Sequence, residues 1–259
     1  MKDSIPSSLF EKSEGSLTGG FARAWVGAAV LVMAALQVGC IDTPNFSPAA
    51  AIATFAPADL PLSLAGEITS DADFGTFQPT APARQLANSV LHSRDHTGAD
   101  FIIVDKSDAM LYVFGSSGTL RGATAVLLGL ARGDDSVPDI GTRPMDQVRP
   151  EERTTPAGRF MAERGVNTMG EDVVWVDYDA AVSMHRVRAT HPKEKRLERL
   201  ATPSADDNRI SYGCINMPVV FFETLVAPMF AGRQAVVYIL PETKLPTEVF
   251  SFYASPKRN

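Results

Sequence analysis

From residue 101 onward, apolar stretches of five or six residues alternate with short turn-forming clusters, and this rhythm restricts the chain to a strand-rich fold. Phe101-Ile-Ile-Val-Asp105 leads into a turn at Lys106-Ser-Asp-Ala109, and Met110-Leu-Tyr-Val-Phe114 returns. Gly115-Ser-Ser-Gly118 turns again, and Thr124-Ala-Val-Leu-Leu-Gly129 supplies another strand. Runs of this length, bounded by such turns, predict an antiparallel meander. Val173–Tyr178 and Ala181–Val187 extend the pattern, and Gln234–Leu240 is a closing strand ended by Pro241. The stretch between Gly133 and Arg153 is a polar, Pro-bearing loop. Its Asp134, Asp135 and Asp139 lack the alternating ligand positions and closing Glu of an EF-hand loop, which leaves a solvated loop rather than a calcium site.

The residues before this region read differently. Arg23 precedes an unbroken apolar run of thirteen residues, Ala24–Leu36. That is short for a membrane span and typical of a signal-peptide core. It ends in Gln37-Val-Gly-Cys40, which resembles a bacterial lipoprotein processing site with Cys40 as the lipidated first residue. An ordinary export signal or an uncleaved anchor fits the same run, and all three versions carry the rest of the chain out of the cytoplasm. Residues 41–82, rich in Ala, Pro, Thr, Ser and Asp without a sustained period, read as a flexible tether. A coil of ~40 residues has an end-to-end distance on the order of 35 Å, a reach suited to a membrane-anchored domain working nearby. A short helix with Leu86, Val90 and Leu91 on one face then opens a folded domain over 83–245, followed by an irregular tail over 246–259.

The hydrophobic share of 45% is enough for a sizeable core, and the net charge of −6 argues against a nucleic-acid binder. The cysteine count says more. There are two, and Cys40 is either lipidated or removed with the leader. Cys214 is then a lone thiol in an oxidising compartment, where unpaired cysteines stand out. A Cys40–Cys214 disulfide would need a signal-peptide residue as its structural partner, and is the weaker alternative.

Cys214 sits in Arg209-Ile-Ser-Tyr-Gly-Cys-Ile-Asn216, followed at once by Met217-Pro218. The next twelve residues, Val219–Phe230, carry apolar positions at helical spacing, with Asn216 as a candidate N-cap and Pro218 suited to the first turn. That places Cys214 in a strand-to-helix turn, where the helix end favours a thiolate. Gly213 lets the backbone approach a substrate, and the N–H groups around Gly213 and Cys214 could cradle an oxyanion. Taken locally, the same residues fit a buried structural cysteine equally well.

Ser211-Tyr212-Gly213-Cys214-Ile215-Asn216 resembles the signature of the L,D-transpeptidases (the YkuD-type catalytic domain), which reads Ser/Thr-His-Gly-Cys, an apolar residue, then Asn or Arg. Tyr212 departs from it, standing where a second His is usual. Thr154-Thr-Pro-Ala-Gly-Arg-Phe160 likewise resembles the family's Thr-Pro-x-Gly-x-Phe element, and the resemblance runs from about Phe101 to Leu240. It implies a mainly β (α+β) domain, a β-sandwich or meander with a helix after the cysteine. It also implies Cys214 as nucleophile, with Tyr212, Gly213, Ser211 and Asn216 forming or supporting the oxyanion site. The base comes from four histidines. His92 and His96 precede the first strand, and Met184-His185-Arg186 fits the family's context better than Thr190-His191-Pro192.

His185 and Cys214 lie 29 positions apart, longer than is usual in the family, so an insertion is expected between them. It carries Lys193-Glu-Lys-Arg-Leu-Glu-Arg-Leu200, which fits a short basic helix: either a solvated face or a lid that attracts substrate carboxylates. Arg186, Arg188 and Arg209 are the candidate substrate-binding cations. Two histidines and one thiol without paired cysteine spacing match no zinc pattern. The function implied is an exported, cysteine-dependent transpeptidase acting on peptidoglycan stem peptides through a thioester, in the periplasm or envelope, with no metal or organic cofactor. An L,D-specific hydrolase of the same fold and a catalytically inactive wall-binding lipoprotein are the alternatives.

Overall fold

The computed structural model describes residues 70–253, so the leader with Cys40 and the tether up to residue 69 lie outside the described residues. Helix α1 (Ala81–Ser93) begins where the Thr80 hydroxyl accepts a hydrogen bond from Ala83 N and Pro82 occupies the first turn. It ends at Arg94 in the left-handed region, and Leu86, Val90 and Leu91 are buried along one face as expected. The strands β1 (Phe101–Asp105), β2 (Met110–Phe114) and β3 (Leu120–Ala125) form the predicted antiparallel meander. The single strand expected over 124–129 is divided. β3 ends at Ala125, and β4 (Leu128–Gly129) leaves the large sheet.

β5 (Gly158–Val166), β6 (Asp172–Asp177) and β7 (Val182–Arg186) follow as antiparallel neighbours. Helix α2 (Arg196–Ala201) lies in the insertion, and the segment carrying Cys214 supplies β8 (Arg209–Ser211) and β9 (Ile215–Met217). Next, α3 (Val219–Phe221), a π-helical turn (Phe222–Val226) and α4 (Ala227–Met229) run on in sequence before β10 (Ala235–Ile239). Eight strands make one sheet in the order β3-β2-β1-β10-β5-β6-β7-β9, while β4 and β8 pair separately. β1–β10, β7–β9 and β4–β8 are parallel and the other neighbours antiparallel, giving a mixed α+β domain dominated by strands.

Side-chain alternation along the central strands feeds two cores. Ile102, Val104, Leu111, Val113, Val237 and Ile239 face a cluster closed by Phe222, Val226 and Phe230. Phe101, Ile103, Tyr112, Phe114, Val236 and Tyr238 face the other, closed by α1. Residues 70–80, expected as tether, belong to this second layer. Ala72 and Phe74 are buried, and Asp73 bridges to Thr119. The expected tail is likewise ordered as far as 253, with α5 (Pro246–Val249) and a buried Phe250. Among the described residues no helix is long and apolar enough to cross a membrane.

Candidate active site

Because β7 and β9 are parallel neighbours with His185 opposite Asn216, the histidine and the segment carrying the cysteine share one edge of the large sheet. Ser183 and His185 are two residues apart on β7 and so project to the same face. Cys214 lies between β8 and β9, half-buried, with Sγ 3.6 Å from both Ser183 Oγ and the Ala181 carbonyl. Residue 215 begins a strand, and the following helix starts only at Val219, with Pro218 at its N-cap. The expected strand-to-helix turn is therefore a strand-to-strand turn, and neither Asn216 nor a helix end caps the thiol. What lowers its pKa is the imidazole. Burial opposes ionisation, but hydrogen bonding and charge from His185, aided by Ser183, outweigh it and bring the Cys214 pKa down to about 7.

His185 is held at both nitrogens. Nδ1 lies 2.8 Å from the Arg186 carbonyl oxygen, which can only accept, so Nδ1 carries the proton. Nε2 then accepts from Asn216 Nδ2 at 3.3 Å and is the ring's remaining basic nitrogen. Burial works against the imidazolium, but the Cys214 thiolate and the Arg186 carbonyl favour it, and the His185 pKa is raised. Asn216 is buried. Its Nδ2 also donates to the Cys214 carbonyl, and its Oδ1 accepts from Arg196 Nη1 at 2.7 Å.

The turn before the thiol is shaped from within. Gly213 has φ +131°, and a Cβ there would sit 2.7 Å from the Thr154 carbonyl oxygen, so the position requires glycine twice over. Ser211 Oγ accepts from Gly213 N at 3.1 Å and donates to the Cys214 carbonyl at 2.6 Å. The Gly213 amide, expected in the oxyanion cradle, is therefore committed to Ser211. Behind the turn, buried Thr155 accepts from Gly129 N at 2.9 Å and donates to Gly213 O at 2.8 Å. The Thr154–Phe160 element thus clamps the Cys214 turn to β4, a role the sequence did not disclose.

These groups open into a cleft of about 520 Å³ whose lining includes Trp175, Ser183, His185, Tyr212, Cys214 and Asn216. Met145 brings the 133–153 loop to its wall, so that loop is more than solvated surface. Tyr212 is partly exposed, with the Arg153 guanidinium 3.9 Å from its ring centroid. A second cavity of about 390 Å³, lined among others by Glu171, Asp172, Arg186 and Glu223, meets the cleft at His185 and Arg188.

The expected cations fare differently. Arg188 lines both cavities and pairs with Glu171. Arg186 stays out of the cleft: it pairs with Asp172 and Glu223 and lies over the Phe222 ring. Arg209 is no substrate ligand. It is buried against Glu242 at 2.7 Å and the Lys106 carbonyl, part of a network in which Lys106 also binds Asp134 and Thr155 O. In the insertion, Lys193 and Lys195 are exposed whereas Arg196 turns inward. The missed residues were Ser183, Thr155 and Arg153. Of these only Ser183 left a signal, its i−2 spacing from His185 on a strand. Among the described residues, no group of three His, Cys, Asp or Glu side chains could hold a metal ion.

No family model matches the chain, and no curated protein matches it. Among solved structures, it is similar to the helical cell shape determining protein Pgp2 from Campylobacter jejuni, at 16% identity and TM-score 0.36 over 57% of this chain and 49% of that one. An L,D-transpeptidase from Xylanimonas cellulosilytica matches at 13% identity and TM-score 0.34, over 55% of this chain and 60% of that one. The catalytic domain of the E. faecium L,D-transpeptidase matches at 16% identity and TM-score 0.31, over 56% of this chain and 99% of that one. The match spans about half the length of the first structures found.

Proposed function

We propose that this chain is an exported cysteine acyltransferase of the L,D-transpeptidase type, acting on peptidoglycan stem peptides. The observation that carries the reading is the half-buried thiol beside an imidazole whose tautomer is set by the Arg186 carbonyl, at the floor of an open cleft. A structural cysteine has no need of a base, and burial alone would have raised its pKa rather than lowered it.

In the reaction proposed, the Cys214 proton passes to His185 Nε2 and the thiolate attacks the carbonyl of the L-to-D peptide bond. The amides of Tyr212 and Cys214 receive the oxyanion, since that of Gly213 is occupied. Collapse breaks the C–N bond, the departing D-amino acid takes the proton from His185, and a thioester to Cys214 remains. An acceptor amine, deprotonated by His185, then attacks the thioester; the new amide forms and the sulfur leaves as thiolate. Arg188, at the junction of the two cavities, would exchange its Glu171 partner for a substrate carboxylate. Export through the 1–40 leader, a Cys40 lipid anchor, a tether following it and an envelope location complete the proposal.

The test is intact mass after incubating the protein with a purified tetrapeptide muropeptide. Expected is an adduct on Cys214 that has lost the terminal D-residue, absent in Cys214→Ser, and chased into a cross-linked product by an added amine. Release of free tripeptide whether or not the amine is present would select the hydrolase instead. Absence of any adduct and of turnover would refute the acyltransferase reading.

A further inference from the structure

The insertion between His185 and Cys214 was expected to be either a solvated face or a lid, yet one of its side chains enters the site. Arg196, on a surface helix outside both core clusters, is largely buried, with Nε on Glu194 at 2.6 Å and Nη1 on Asn216 Oδ1 at 2.7 Å. We propose that Arg196 is a positioning residue of the base: by holding Asn216 Oδ1 it turns the amide NH2 onto His185 Nε2 and keeps that nitrogen an acceptor.

The argument is one of donors and acceptors. An amide side chain can face Nε2 with its NH2 or with its oxygen, and the two orientations select opposite protonation states of that nitrogen. With NH2 forward, Nε2 must present its lone pair; with oxygen forward, it must carry a proton. A guanidinium has only donors, so the group it binds on Asn216 must be the oxygen, which sends NH2 to His185. Protonating Nε2 would set N–H against N–H unless the amide turned, and turning it would place NH2 against the guanidinium. Resistance to protonation at Nε2 is thus transmitted from the insertion through one amide. The positive charge of Arg196 acts in the same sense, against the imidazolium.

The other charged neighbours of the ring are largely committed elsewhere. Arg186 is closed on Asp172 and Glu223, Arg188 on Glu171, and Glu194 on Arg196 itself. His191 lines the same cleft, and Cys214 favours the imidazolium. Arg196 is therefore the charged group that adds to burial in opposing the thiolate's pull on the base.

The inference rests on the Cys214–His185 reading, so the two are tested separately. The full chain carrying Cys40→Ser, labelled with ¹⁵N-histidine, is titrated by NMR, with His185 assigned through the signals lost in His185→Gln. Expected in the parent is an Nδ1–H neutral ring. In Arg196→Ala the His185 midpoint moves to higher pH, and Arg196→Lys, which keeps a charged donor, returns it toward the parent. An unchanged midpoint in Arg196→Ala overturns the proposal, as does a shift that Arg196→Lys reproduces in full. Alkylation of Cys214 by iodoacetamide in His185→Ala reads the pair itself: if its pH dependence equals the parent's, the Cys–His reading fails, whatever Arg196 does.

Discussion

Thr155→Val isolates the clamp behind the Cys214 turn. Valine matches threonine in shape, so no cavity opens, but the hydroxyl that accepts from Gly129 N and donates to Gly213 O is gone. Both backbone groups are then left unpaired in a site where Thr155 is fully buried. Water has no way in, because the chains are packed so closely that a Cβ on Gly129 would lie 2.3 Å from the Arg153 carbonyl oxygen. Each orphaned buried group costs about 1–3 kcal/mol, so the pair should cost roughly 2–6 kcal/mol. That is a large share of the ~5–15 kcal/mol that holds a typical domain together. Urea unfolding followed through Trp175 fluorescence should show the midpoint falling by about 1–3 M, at a slope near ~2 kcal/mol/M. Thr155→Ser keeps the hydroxyl and loses one methyl, a change of about 0.5–1.5 kcal/mol. If Val proves no more destabilising than Ser, the hydroxyl bridge carries no weight and the assignment of Thr155 is wrong.

Three further outcomes follow from the site. In the parent, with the Cys214 pKa near 7, iodoacetamide alkylation should be about half-maximal at neutral pH. In His185→Ala the main group that overcomes burial is lost and Ser183 alone remains, the thiol titrates higher, and the rate at pH 7 falls at least about tenfold, as for an ordinary thiol of pKa ~8.5; an unmoved alkylation profile would refute this. Arg209→Met should cost about 3 kcal/mol in urea unfolding, the low end of ~3–5 for stranding a buried partner, since Arg132 at 3.2 Å still serves Glu242; a loss below ~1 kcal/mol would show that the network does not depend on it. Tyr212→Phe should keep most acyl-adduct formation, because the ring that Arg153 covers and the backbone amide both survive; a loss matching that of Cys214→Ser would put the phenol in the chemistry.

Much of this was legible in the order of residues because it depends on local chemistry. The strand rhythm after Phe101, the α1 face of Leu86, Val90 and Leu91, and the glycine before Cys214 follow from side-chain period and backbone sterics, which a linear sequence records. Where the sequence misled, longer-range pairing had overridden propensity. Ile215–Met217 became a strand because β7 was there to pair with it in parallel, which pushed the helix back to Val219 and removed Asn216 from its end. The run over 124–129 split because β8 offered β4 a partner outside the large sheet.

Charge was the least legible property. Arg186, Arg188, Arg196 and Arg209 look alike in a string, and all are cations at any working pH. Only the tertiary structure separated them, by what each meets: two carboxylates for Arg186, a cavity junction for Arg188, an amide of the site for Arg196, and a buried glutamate for Arg209. The sequence by itself determined that a thiol would follow a glycine in a strand-rich chain. Which histidine would stand beside that thiol was decided by the register of β7 on β9, because hydrogen bonds select partners by distance in space and not by distance along the chain.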